Sequence, residues 1–180
     1  VRVTLYDGAK ECVGAGRAGI QAVAEYRQDR VPTANTARVL IHVDKVRLWT
    51  TETPVLYRAV IELTDPSGKA VDVEACSIGF KKVEVVNGVV LLNGKRLIVH
   101  GVNRHEHCLE GGRTVTRQHM LEEIRQMKRL NINSVRTCHY PDSPDWYELC
   151  DQYCLLLVCE SNLETHGVAG ALTHTPAWAA

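Results

Sequence analysis

Residues 131–160 read NINSVRTCHYPDSPDWYELCDQYCLLLVCE, and this stretch decides the fold. NSVRTC and LLLVCE are short apolar runs of strand length. Between them PDWYELCDQY starts a helix at Pro144, whose fixed φ suits a first helical position. Upstream, LIVHGVN (Leu97–Asn103) reads as another strand. It is followed by TRQHMLEEIRQMKRLN, where Met120, Ile124, Met127 and Leu130 recur at three- and four-residue spacing, predicting an amphipathic helix. The order is therefore strand, helix, strand, helix, strand. Two consecutive βα units require parallel strands with right-handed crossovers. This is the start of an α/β sheet or barrel, and it stops after the third strand.

Working toward the N-terminus, KKVEVV-NG-VVLL-NG-KRLIVHG holds two Asn-Gly pairs, each flanked by apolar runs. Asn-Gly supplies the two φ > 0 residues of a type I′ turn, so a three-strand meander is expected. Before it, RVTLYD, ARVLIHVDKV, LYRAVIELTD and AVDVEACSIGF alternate apolar and polar residues with period two. Asp7-Gly8, Gly14 to Gly19 and Asp65-Pro66-Ser67-Gly68 punctuate them as turns. Short strands at this spacing predict a β-sandwich. The stretch holds one of the eight histidines, His42, and reads as scaffold.

The chain has 180 residues, 45% hydrophobic and 23% charged, which excludes collagen-like, low-complexity and disordered classes. Lys+Arg 21 balances Asp+Glu 21, and neither half carries the basic excess that nucleic acid or an anionic membrane needs. No apolar run approaches the ~18 residues of a membrane span. The opening VRVTLYDGAK has neither Met nor a signal-peptide pattern, which predicts a cytoplasmic protein and a piece cut from a longer polypeptide. Cys138, Cys150, Cys154 and Cys159 lie in or beside apolar stretches, so buried reduced thiols are expected rather than disulfides. The spacing Cys150-x3-Cys154-x4-Cys159 is not the compact pair of a zinc site.

In parallel α/β folds, functional side chains gather where strands end and βα loops begin. Those positions hold Asn103, Arg104, His105, Glu106 and His107 after the first strand, then Arg136, Thr137, Cys138, His139 and Tyr140 after the second. After the third come Glu160, Ser161, Asn162, Glu164 and His166. Seven of eight histidines lie beyond residue 99. A shared site explains this better than scattered surface polarity, although each group alone has a plainer reading. His105-x-His107 suits two loop residues or a metal pair, Arg136 suits a buried ion pair, and His139-Tyr140-Pro141 suits a strand-to-helix turn. Glu164-x-His166 offers an oxygen and a nitrogen for a divalent cation, though two ligands do not make a site. His119 is expected at the surface, and His100 as a satisfied strand residue.

LLNGKRLIVHGVNRHEH, NINSVRTCHYPDSPDWYELCDQY and ESNLETHG resemble the glycoside hydrolase family of lactose-type β-galactosidases, β-glucuronidases and β-mannosidases, family 2. Asn-Arg-His-Glu-His paired with Glu-Thr-His-Gly resembles its β-galactosidase branch. Through KVRLWTTETPVLYRAVIEL the likeness reaches the N-terminus. It implies an immunoglobulin-like β-sandwich at residues 1–84, then at 85–180 the first βα units of a TIM (β/α)8 barrel, truncated. It further implies retaining hydrolysis of terminal β-D-galactosides such as lactose by a homo-oligomeric parent. His105 and His139 would contact galactosyl hydroxyls and favour the transition state, Arg136 would orient the nucleophilic carboxylate, and Glu160 would stand near the sugar subsite. Glu164 and His166 would be ligands of Mg²⁺, with Na⁺ a further ion of the parent. The family's acid/base and nucleophilic glutamates lie on later strands, beyond Ala180. Glu160 and Glu164 leave the same strand end, so they are poorly placed to attack an anomeric carbon from opposite faces. The role of Glu106 is left open.

Two rival readings stand beside this one. A metal-dependent barrel hydrolase would use His105 and His107 on zinc, but needs further ligands at later strand ends. A degenerate homologue would serve as a binding or structural module; departures such as Cys154 where the family has Gly, and Cys159 where Asp is common, favour it.

Overall fold

The computed structural model describes residues 1–22, 35–162, 164, 166–168, 170–171 and 175–176. The chain divides into two compact units, Val1–Arg96 and Leu97–Ala180.

In the first unit, β1 (Arg2–Tyr6), β2 (Cys12–Arg17), β3 (Gln21–Ala22), β4 (Asn35–Thr36), β5 (Tyr57–Thr64) and β6 (Ala70–Ile78) follow in order. An antiparallel sheet runs β2-β1-β5-β6, and β3 pairs with β4. The expected strand Ala37–Val46 forms no ladder. Its side chains still alternate between half-buried (Val39, Ile41, Val43) and exposed (Leu40, His42, Asp44). It runs close beside β2, where a Cβ on Gly16 would stand 2.8 Å from the Leu40 carbonyl and one on Gly14 2.8 Å from Ile41. The alternation thus reports packing against the two glycines, without strand-to-strand hydrogen bonds. Trp49, Tyr57, Ala59 and Leu5 are buried, and the Tyr57 and Phe80 rings meet edge-on at 5.1 Å.

The meander follows: β7 (Val83–Val86), β8 (Val89–Leu92) and β9 (Lys95–Arg96), antiparallel throughout. Asn87-Gly88 and Asn93-Gly94 all have positive φ, 50° and 77°, then 52° and 78°, as type I′ turns require. Asn93 also ties its turn to the core, its amide nitrogen donating to the Trp49 carbonyl at 2.9 Å.

In the second unit, β10 (Gly101–Arg104), α1 (Arg117–Arg129), β11 (Ser134–Thr137), α2 (Pro144–Gln152) and β12 (Leu156–Val158) alternate. The three strands are parallel in the order β10-β11-β12. Thr116 caps α1 by accepting from the His119 amide, and Pro144 opens α2. Met120 and Ile124 of α1 pack with Val135, Trp146, Leu149, Cys150 and Leu155 into one core. Leu130, expected on that stripe, is exposed, because it caps the C-terminus of α1 after the last helical turn. All seven cysteines are free; Cys138, Cys150 and Cys154 are buried as expected, but Cys159 is exposed, as is Val158 at the end of β12 before it. Cys154 takes φ 62° just past α2, the left-handed position that usually ends a helix on Gly. Among the described residues no helix is long and apolar enough to cross a membrane.

Candidate active site

Parallel register sets the site. Asn103 pairs with Arg136, Arg104 with Thr137, and Arg136 with Val158, so the three strands finish nearly level. The Thr137 hydroxyl, fully buried, accepts from the Glu160 amide at 3.1 Å and ties the end of β12 to that of β11. Arg136 Nε then donates to Glu160 Oε1. His139 Nδ1 lies 3.1 Å from Glu160 Oε2 and 3.2 Å from Arg136 Nη2. One nitrogen cannot both donate to the carboxylate and accept from the guanidinium. Assigned as Nδ1–H donating to the Glu160 carboxylate, the neutral ring is left with Nε2 as an acceptor. Held first by Arg136 and then by His139, the Glu160 carboxyl is lowered below its ordinary value.

His105 is placed by another route. The Tyr140 hydroxyl accepts from the Glu106 amide at 3.1 Å and lies 3.3 Å from His105 Nδ1. Assigned as donor to Nδ1, that hydroxyl leaves a neutral His105 with Nε2–H as a donor. The His105 and His139 rings meet edge-on at 5.7 Å, and the His105 and His107 rings at 6.2 Å. With these assignments an acceptor and a donor imidazole sit side by side.

A cleft of about 630 Å³ is lined by Arg136, His139, Cys159, Glu160, Ser161, Glu164 and His166. Of the residues singled out from sequence, the structure joins Arg136, His139 and Glu160 by direct contact and adds His105 by ring contact. Glu164 and His166 line the same cleft and meet each other at 2.6 Å, but among the described residues no third His, Cys, Asp or Glu joins them. For the same reason His105, His107 and His139 do not form a three-ligand zinc set.

Two contributors have roles that the sequence does not assign. Tyr140, named at the second strand end and also read as part of a turn, orients His105. Cys159 lines the cleft and lies 3.4 Å from the Tyr147 hydroxyl. Glu106, whose role the sequence leaves open, accepts the Ser143 amide on both oxygens, at 3.1 and 3.0 Å. The available signal is position: each lies within three residues of a strand end.

Residues 83–179 match the model for the TIM barrel domain of glycosyl hydrolases family 2, and residues 8–81 match a second model of glycosyl hydrolases family 2. A β-galactosidase of Enterobacter cloacae is 41% identical over 177 residues, 97% of this chain and 17% of that protein. One from Pseudoalteromonas haloplanktis is 51% identical over 141 residues, 77% of this chain and 14% of that protein. The chain therefore spans about a sixth or less of these relatives' length. Among solved structures, a β-glucuronidase of Bifidobacterium dentium complexed with coumarin-3-O-glucuronide superposes with TM-score 0.76 at 28% identity, over 89% of this chain and 24% of that one. A β-glucuronidase of Ruminococcus gnavus in complex with D-glucuronic acid gives 0.72 at 26%, over 89% and 25%. The chain belongs to glycosyl hydrolases family 2, with an immunoglobulin-like domain leading into the start of a TIM barrel domain.

Proposed function

We propose that the full-length protein carrying this chain hydrolyses terminal β-D-galactosides such as lactose with retention of configuration. These 180 residues would supply part of its sugar-binding cleft, since the matched residues are only 14–17% of the β-galactosidases' length. The observation that carries this reading is the Arg136–Glu160–His139 cluster at level strand ends, with His105 edge-on to His139. The 41–51% identity to β-galactosidases supports the galactoside over other sugars.

His139, fixed by Glu160, offers an acceptor and His105 offers a donor, a pair suited to adjacent sugar hydroxyls. Arg136 spends Nε on Glu160 and reaches Asn103 Oδ1 only at 3.5 Å, so it keeps donors for a further carboxylate. That carboxylate would be the nucleophile, one of two glutamates ~5 Å apart in a retaining enzyme, both beyond this chain. Glu164 brings the carboxylate oxygen that a hard cation keeping several waters prefers, with the His166 nitrogen beside it. We assign them to Mg²⁺, which when bound would supply electrostatic stabilisation near the leaving group. Nothing in the described residues suggests a cage for Na⁺, and we assign it no ligand here.

A β-glucuronidase-like specificity is favoured by one observation, the superposition on β-glucuronidases. The test is the full-length enzyme on chromogenic β-galactoside and β-glucuronide, with product anomers followed by NMR. Turnover of the galactoside with retention is expected. Preference for the glucuronide, inversion, or no turnover of either would overturn the reading; the last would indicate a non-catalytic homologue.

A further inference from the structure

Arg104 ends β10 with its side chain 2% exposed, and it does not line the cleft. Its guanidinium is held on every side. Nη1 donates to Asp142 Oδ2 at 2.7 Å, Nε and Nη2 donate to Glu123 Oε2 at 3.1 and 3.0 Å, and Glu106 Oε1 lies at 3.8 Å. The plane stacks 3.8 Å above the buried Trp146 ring. One cation thus collects carboxylates from the first loop, α1 and the second loop.

The backbone repeats the pattern around the two imidazoles. The Arg104 carbonyl accepts from the Cys138 amide at 3.0 Å, and the Glu106 amide donates to the Tyr140 hydroxyl at 3.1 Å. Both chain neighbours of His105 are therefore tied to both chain neighbours of His139. Glu106 also holds Ser143, one residue beyond Asp142. As a device for stability alone this cluster is poorly made. Among the described residues, buried Asp142 Oδ1 and Trp146 Nε1 have no hydrogen-bond partner. Each such orphan loses its hydration without a replacement bond, and buried ion pairs add little over a packed apolar core.

We propose that Arg104, through Asp142, Glu123 and Trp146, is a positioning residue that sets the separation and orientation of His105 and His139 without touching substrate. This rests on the galactoside-hydrolase reading above only for its kinetic consequence. Lys cannot replace Arg here, because a point charge lacks the planar fork that reaches two carboxylates and stacks on the indole.

The experiment uses the full-length enzyme with Arg104→Lys, His139→Phe and the double variant. A misplacement of about 1 Å costs up to about 100-fold in rate. Arg104→Lys should therefore lower kcat about 10- to 100-fold while KM moves less than about threefold. Because Arg104 acts through both histidines, its cost in the His139→Phe background should be at least about threefold smaller than in the wild type. Full additivity, or a rise in KM matching the fall in kcat, would overturn the proposal. Asp142→Asn keeps the side-chain shape and should give the same pattern more weakly, which covers the case in which Arg104→Lys fails to fold. If the wild type turns over no glycoside, the functional reading fails, and the crystal structures decide the positioning role. In either variant the 5.7 Å ring separation should widen while the Arg136–Glu160 pair stays; an unchanged separation would overturn it.

Discussion

Arg136 and Glu160 leave neighbouring strands and meet as an ion pair at the mouth of the cleft. The guanidinium is the largest cause that holds the Glu160 carboxyl below its ordinary 4.5, with His139 adding to it. A carboxyl whose pKa is depressed on folding contributes stability that is present above the unfolded value and lost as pH falls through the folded one. Glu160→Gln should therefore destabilise most near neutral pH, and its Tm deficit should shrink once pH drops below about 4.5. Thermal denaturation of both proteins from pH 7 to pH 3 checks this; a constant deficit would place the effect elsewhere.

Asp142 responds with the opposite sign. Burial raises its pKa above the ordinary 3.8, against the pull of Arg104. A raised carboxyl contributes stability that is complete below the unfolded pKa and lost as pH rises through the folded one. Measured against Asp142→Asn, the wild type should gain stability as pH falls toward 3.8. The same melting series should show the two variants' deficits changing in opposite directions.

The second meander turn isolates a backbone effect. Gly94 has φ 78°, and a Cβ added there would meet no atom within 4 Å, whereas Gly8 is equally open but lacks the positive φ. Gly94→Ala should cost about 1 kcal/mol, the penalty for a left-handed residue with a Cβ. Gly8→Ala should be within about 0.5 kcal/mol of neutral. Urea titration of the two variants separates strain from crowding.

Cys154 combines a left-handed backbone with burial. Cys154→Ala keeps the Cβ strain and loses sulfur packing, so it should destabilise. Cys154→Gly loses the same packing but relieves the strain, and should be more stable than the Ala variant by about 1 kcal/mol. Equal stabilities would mean that the surrounding core, not φ, governs this position.

The thiols should fall into classes under an aromatic disulfide reagent at pH 8. Cys12, Cys76 and Cys159 are exposed and should react quickly, while Cys138, Cys150 and Cys154 should wait for denaturant. Burial pushes the Cys150 thiol up to about 12, so even an opened site would hold little thiolate there. Cys159 lines the cleft, and galactose should slow its labelling relative to Cys12 if the cleft binds the sugar.

Local chemistry made much of the fold legible in the sequence. Asn-Gly pairs permit positive φ, Pro144 suits a helix start, and Met120 and Ile124 share one helix face; each signal acts within a few residues. The strand ends could be named for the same reason, and with them Arg136, His139, Glu160 and His105. Alternation at Val39–Val43 misleads because burial beside Gly14 and Gly16 and ladder hydrogen bonding impose the same period of two. Leu130 misleads because periodicity does not announce the turn on which a helix ends.

Which of the named residues touch was decided by tertiary structure. Level strand ends bring Arg136 to Glu160 across 24 residues, and Tyr140 to His105 across 35. Arg104 and Asp142, 38 apart, meet where both are buried, so the ordinary preference of charged residues for the surface hid their pairing. The sequence by itself determined which elements form and which chemistry stands at their ends, because propensity and turn geometry are local. Partners, tautomers and pKa directions depend on distances between strands, and only the packed β10-β11-β12 sheet with its two helices sets those.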